Sequence, residues 1–152
     1  MGIEICIINP YATEKSNVKL KECVLEVIDK NYSVYLNENS NIEDYYSYFM
    51  ETANVSKPIK EVESNNSSDI FLITCYQDIG VDVIRKITSK PLIGIGKIAF
   101  YTANIIANKF TIITNLSASH EALKNNIIKY DINHKCISLK SIEVPILDME
   151  TM

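Results

Sequence analysis

The sequence predicts an α/β fold, a parallel sheet flanked by helices. Two observations predict it. Short apolar runs alternate with amphipathic stretches along the 152 residues. Runs such as Ile3–Ile8 and Ile70–Ile73 are nearly continuous in apolar residues, as strands covered on both faces are. Parallel strands need crossover connections, and the stretches between the runs supply them.

Each element has its own signal. Ile3–Ile8 reads as a buried strand ending on Asn9-Pro10. Thr13 caps a helix to about Asp29, with Val18, Leu20, Val24, Leu25 and Ile28 as its apolar stripe. Tyr32–Leu36 alternates and reads as a second strand. Residues 42–52, acidic and rich in tyrosine, read as helical. Ser56 and Pro58 look like an N-cap and a first-turn proline, opening a helix to about Ser64. Ile70–Thr74 is the third strand, followed by a helix over Ile79–Thr88. Leu92–Ile95 is the fourth, and Gly96 turns the chain into a helix from about Ile98 to Ala107. Phe110–Thr114 is a fifth strand, Ser117 caps a helix reaching Lys129, and Cys136–Ile142 is a sixth strand.

Composition narrows the function classes. Hydrophobic content of 47% and charged content of 22% are those of a soluble globular protein. A net charge of −4, with scattered lysines, argues against a nucleic-acid partner. No apolar run reaches bilayer length and no secretory signal is visible, so the expected location is cytoplasmic, with no membrane partner. The four cysteines, Cys6, Cys23, Cys75 and Cys136, form no C-x-x-C pair and read as free thiols. No spacing fits a metal motif.

Cys75 is the residue of greatest interest. A buried strand stops on it and a helix follows, so the thiol falls at the rim where open parallel sheets bind ligands. A neighbouring helix N-terminus would favour the thiolate. The other reading is core filler, since cysteine is among the most buried residue types. Three further strand ends carry polar or small residues: Asn9 with Thr13, the Gly94–Lys97 turn with Gly96, and Thr114 with Asn115. An amide or hydroxyl before a helix suits a carboxylate, although capping is the commoner role. Together they put polar groups on one rim of one sheet. His120 and His134 read as surface residues, with a Cys75–His120 nucleophile–base pair the less favoured alternative. Tyr45, Tyr46 and Tyr48 read as packing against the sheet sooner than as a lid.

These residues resemble the aspartate/glutamate/hydantoin racemase superfamily, its hydantoin racemase branch most closely. The family's I-N-P-N-T is matched by Ile8-Asn9-Pro10-Tyr11-Ala12-Thr13. Its C-F-G-D-P-G-L-D is matched by Cys75-Tyr76-Gln77-Asp78-Ile79-Gly80-Val81-Asp82, with Gln77 in place of Gly and Ile79 in place of Pro. P-V-x-G-I-G-E-A-A is matched from Pro91 to Ala99, R-F-x-V-V-T from Lys109 to Thr114, and I-x-x-P-V-L-x-L-E from Ile142 to Glu150.

The resemblance implies a flavodoxin-like racemase lobe over residues 1–95 and the start of a similar second lobe over 96–152. It implies cofactor-independent proton transfer α to a carboxylate or imide carbonyl, on a small carboxylate or hydantoin-like substrate. Cys75 would be one acid/base, and Asn9, Thr114 and Asn115 would hold carboxylate or carbonyl groups, with Thr13 and Gly96 in the same strand-end loops. The family's second cysteine lies in a later G-C-G/A turn, and Cys136 does not match it. The expectation is a short or truncated racemase-type chain, a homo-oligomer or one that associates with a chain supplying the missing half. The alternative is a catalytically inactive remnant that acts as an interaction protein.

Overall fold

The computed structural model describes residues 2–10, 14–29, 31–36, 51–144 and 148. The described chain divides into two compact units, Met1–Ile95 and Gly96–Met152.

The first unit is built on four parallel strands in the order β2-β1-β3-β4. They are β1 (Ile3–Ile8), β2 (Tyr32–Leu36), β3 (Ile70–Ile73) and β4 (Leu92–Gly94). In register, Ile5 faces Val34 on one side and Ile70 on the other, and Ile73 faces both Ile8 and Gly94. β1 and β3 are central strands, so Cys6, Ile8, Phe71 and Ile73 are all buried. They form one core with Val62, Cys75, Val81, Ile84 and Leu92. Burial of that apolar core is the main favourable contribution to holding the sheet.

Helices α1 (Glu14–Val27), α2 (Glu51–Ser64) and α3 (Val81–Ile84) make the crossovers. The apolar stripe of α1 is narrower than its sequence suggests. Leu20, Val24 and Ile28 are half-buried, whereas Val18 and Leu25 are exposed. Pro58 does not open a helix, nor does Ser56 cap one. It lies inside α2 with its side chain fully buried, because packing outweighs the hydrogen bond that a proline removes. Thr13 and Tyr45, Tyr46 and Tyr48 fall outside the described residues, as does most of the 42–52 segment. The helix expected to reach Thr88 stops at Ile84, where the N–H groups of Lys86 and Ile87 bond to carbonyls three residues back and tighten the chain into turns.

In the second unit α4 spans Ile95–Ile106 and α5 spans His120–Lys129. Strands β5 (Phe110–Thr114) and β6 (Cys136–Ser141) form a separate parallel pair. Gly96 is therefore not a turn residue. The helix begins directly after β4 and buries Gly96 within its first turn. Leu123, Ile127, Tyr130, Ile132 and Phe100 are buried in this unit, and the Phe100 and Tyr130 rings lie 6.1 Å apart. Ser117 does not cap α5. It opens a single 3-10 turn, Ser117–Ser119, that leads into the helix. No described helix is long and apolar enough to cross a membrane.

Candidate active site

The carboxyl ends of β1, β3 and β4 leave the first sheet side by side. After Ile8 comes Asn9, and after Ile73 come Thr74 and Cys75. The Thr74 N–H donates to the Ile8 carbonyl at 2.9 Å, carrying the ladder one residue past the strand. The Asn9 amide Nδ2 donates to Asn17 Oδ1 at 3.2 Å, which ties this strand end to α1.

Cys75 is 3% exposed and belongs to the core cluster. The chain beyond it does not enter a helix at once. It loops through Tyr76–Gly80, with Asp78 at φ 53° and Gly80 at φ 81°. Asp78 N–H donates to the Cys75 carbonyl at 2.9 Å. The main-chain N–H groups of Gln77 and Ile79 favour a negative charge on the sulfur, with a smaller share from that of Asp78, which is already given to the Cys75 carbonyl. Successive N–H groups around a left-handed residue form such an anion-binding concavity.

Two effects oppose each other at the thiol. Burial pushes it up, the Gln77 and Ile79 N–H groups pull it down, the Asp78 charge pushes it up again, and together they leave it raised to about 11. Desolvation wins, so the resting group is the thiol and not the expected thiolate. The expected helix N-terminus does not act here, because α3 begins only at Val81 and is four residues long. The N–H groups of the loop take its place.

Thr114 and Asn115 lie in the second unit, at the end of β5, and not on the four-stranded sheet. β5 pairs with β6 among the described residues, so the four polar strand ends do not share one sheet. Both residues are buried, and Thr114 Oγ1 donates to Asn115 Oδ1 at 3.3 Å. Their carbonyls accept the N–H groups of Ile142 and Val144, which holds the chain after β6 beside them. The Glu143 carboxylate accepts from the Ser117 N–H at 3.0 Å, and hydrogen bonds from Ser141 and Ser117 hold it below the usual carboxylate range. His120, expected at the surface, is half-buried at the start of α5, with its Nε2 enclosed; His134 is exposed. No group of three or more His, Cys, Asp or Glu among the described residues is placed to hold a metal ion.

Asp78 and Gly94 carry more of the local geometry than their sequence context suggests. The available signal was an acid two residues before a glycine, just past a strand, since Asp tolerates the left-handed region better than most residues do.

A four-stranded parallel sheet joined by helical crossovers, with a thiol and an amide at its carboxyl edge, defines an α/β protein, and sheets of this kind bind small ligands at that edge. The particular family is the Asp/Glu/hydantoin racemase family, to which the chain belongs by a match over residues 5–152. It is 28% identical to a hydantoin racemase of Pseudomonas sp. (strain NS671) over 111 residues, which is 73% of this chain and 44% of that protein. It is 25% identical to a hydantoin racemase of Rhizobium meliloti, covering 97% of this chain and 63% of that one. An allantoin racemase from Klebsiella pneumoniae superposes with a TM-score of 0.87 at 20% identity, over 98% of this chain and 62% of that one. An allantoin racemase from Pseudomonas fluorescens gives 0.86 at 15% identity, covering 98% and 64%. The chain thus spans between 44% and 64% of the length of these relatives.

Proposed function

We propose that this chain carries out cofactor-independent proton transfer at the carbon α to a carboxylate or imide carbonyl, with Cys75 as the acid/base. The observation that carries the reading is the Cys75 loop. At a buried thiol on a sheet rim, the main-chain N–H groups of Gln77 and Ile79 favour a negative charge on the sulfur, with a smaller share from that of Asp78. The names of the relatives point to a cyclic diamide, a hydantoin or allantoin, as the substrate class.

The chemistry follows from the resting state. With its pKa pushed up to about 11, Cys75 is protonated at neutral pH. The thiol gives its proton to the planar, enolate-like carbon, and the electron pair left on sulfur is met by the N–H groups of residues 77–79. In the opposite direction the thiolate takes the α-proton and becomes the thiol again. Asn9, at the neighbouring strand end, is suited to hold a carbonyl of the substrate through its amide.

Deuterium exchange at the α-carbon in D2O tests this. The probes are a 5-substituted hydantoin, allantoin, aspartate and glutamate, each corrected for its uncatalysed rate. The expected result is exchange into at least one of them that disappears in Cys75→Ala. It should accelerate about tenfold per pH unit above neutrality until the thiol titrates. Equal exchange in Cys75→Ala, or none with any probe, overturns the reading.

A further inference from the structure

The Cys75 loop contains one acid that this chemistry does not use. Asp78 is 6% exposed and left-handed at φ 53°. The chain closes on it from both sides: its N–H donates to the Cys75 carbonyl at 2.9 Å, and its carbonyl accepts the Val81 N–H at 3.2 Å. Its carboxylate lies against Gly94 at the end of β4. A Cβ added at Gly94 would stand 2.6 Å from Asp78 Cγ, closer still to Oδ1, and 3.1 Å from Val81 Cγ2. The carboxylate therefore fills the space that a side chain at residue 94 would take.

We infer that Asp78, seated on Gly94, is a positioning residue for Cys75: it anchors the loop to β4 and so keeps the N–H groups of residues 77–79 on the sulfur. The inference rests on the reading of Cys75 as the acid/base. Asp78 also acts at a distance. Its negative charge opposes a second negative charge on the sulfur, so the anchor favours the thiol over the thiolate. One residue thus does two opposing things, placing donors for the thiolate and supplying a charge against it. Such opposition keeps the group a proton donor at rest while leaving the thiolate supported when it forms.

The test reads the Cys75 sulfur directly. The chain, with exposed Cys23 replaced by serine, is alkylated with iodoacetamide from about pH 7 to about pH 12, and the Cys75 peptide is quantified by mass spectrometry. Asp78→Asn keeps the shape and tolerates the left-handed backbone, but removes the charge. Its alkylation midpoint should fall to lower pH. Gly94→Ala should shift the midpoint in the parent chain, and that shift should vanish in an Asp78→Gly background, where the clashing carboxylate is gone. If Gly94→Ala alone fails to fold by circular dichroism, Asp78→Gly should restore folding. An unmoved midpoint in Asp78→Asn overturns the inference. So does a Gly94→Ala effect, on midpoint or folding, that is the same in both backgrounds. Alkylation proceeds whether or not any hydantoin is turned over. Coupling without α-carbon exchange therefore discards the proton-transfer reading and keeps the anchor, and exchange without coupling does the reverse.

Discussion

Thr74 gives the Ile8 carbonyl two hydrogen bonds, one from its N–H at 2.9 Å and one from its Oγ1 at 3.2 Å. The double donation clamps β1 to β3 one step before the sheet opens, so that Asn9 and Cys75 leave it together. Thr74→Val keeps the shape and the N–H bond but loses the hydroxyl. It should cost about 1 kcal/mol in urea unfolding, the usual net worth of one such bond.

Alkaline pH should destabilise the chain through two thiols. Burial raises Cys6 to about 12, with Glu61 and Glu4 adding to the shift, and burial raises Cys75 to about 11, both from 9.0. Above about pH 9 an unfolded thiol ionises while the folded one still holds its proton. The unfolded state then binds fewer protons, and stability falls as pH rises. It is fully present below pH 9 and is lost through about 11 and 12. The slope approaches about 1.4 kcal/mol per pH unit for each thiol. Cys6→Val should flatten the alkaline limb of stability measured against pH by denaturant titration.

Gly80 stands at φ 81° with open contacts around it: an added Cβ would meet Ile84 Cδ1 at 3.5 Å and Pro58 Cβ at 3.6 Å. The cost of a side chain is then conformational and not steric. Gly80→Ala should lower stability by about 1–2 kcal/mol, and Gly80→Asn by less, because asparagine tolerates the left-handed region. Thermal unfolding of the pair separates the two.

At the other end of the sheet Ser68, fully buried, donates through Oγ to Glu4 Oε1 at 2.7 Å. Ser68→Ala should cost about 1.5 kcal/mol, as expected for a bond to a charged acceptor. Ser67 is 3.4 Å from the same oxygen in an exposed position, and Ser67→Ala should change stability by less than about 0.5 kcal/mol. Urea titration of both variants checks the contrast.

The strands were legible because β1 and β3 are nearly continuous apolar runs and β2 alternates. β1, β2 and β5 fall where the apolar runs are, and the parallel sheet follows from the alternation of elements. Helix ends were harder to read. Pro58 gives a helix-start signal, yet packing of its ring places it mid-helix. The Gly94–Gly96 stretch reads as a turn, yet a helix follows β4 with no loop. At the site, the position of Cys75 follows from strand length alone. The source of its N–H donors does not, because it depends on the left-handed Asp78, which no periodicity reveals. The state of the thiol was also hidden, since burial depends on the whole core. That Thr114 belongs to another sheet is a matter of pairing, to which sequence pattern is blind.

The order of the central strands sets when this protein can fold. β1 can meet β2 early, since Ile5 pairs with Val34, but its other edge pairs Ile5 with Ile70. That second edge has no partner on a growing chain until β3 has left the ribosome. Closing so long a loop precedes any reward from pairing, which makes such topologies slow to form. For that interval the nascent chain carries an apolar, half-paired strand, the kind of surface on which partly folded chains aggregate.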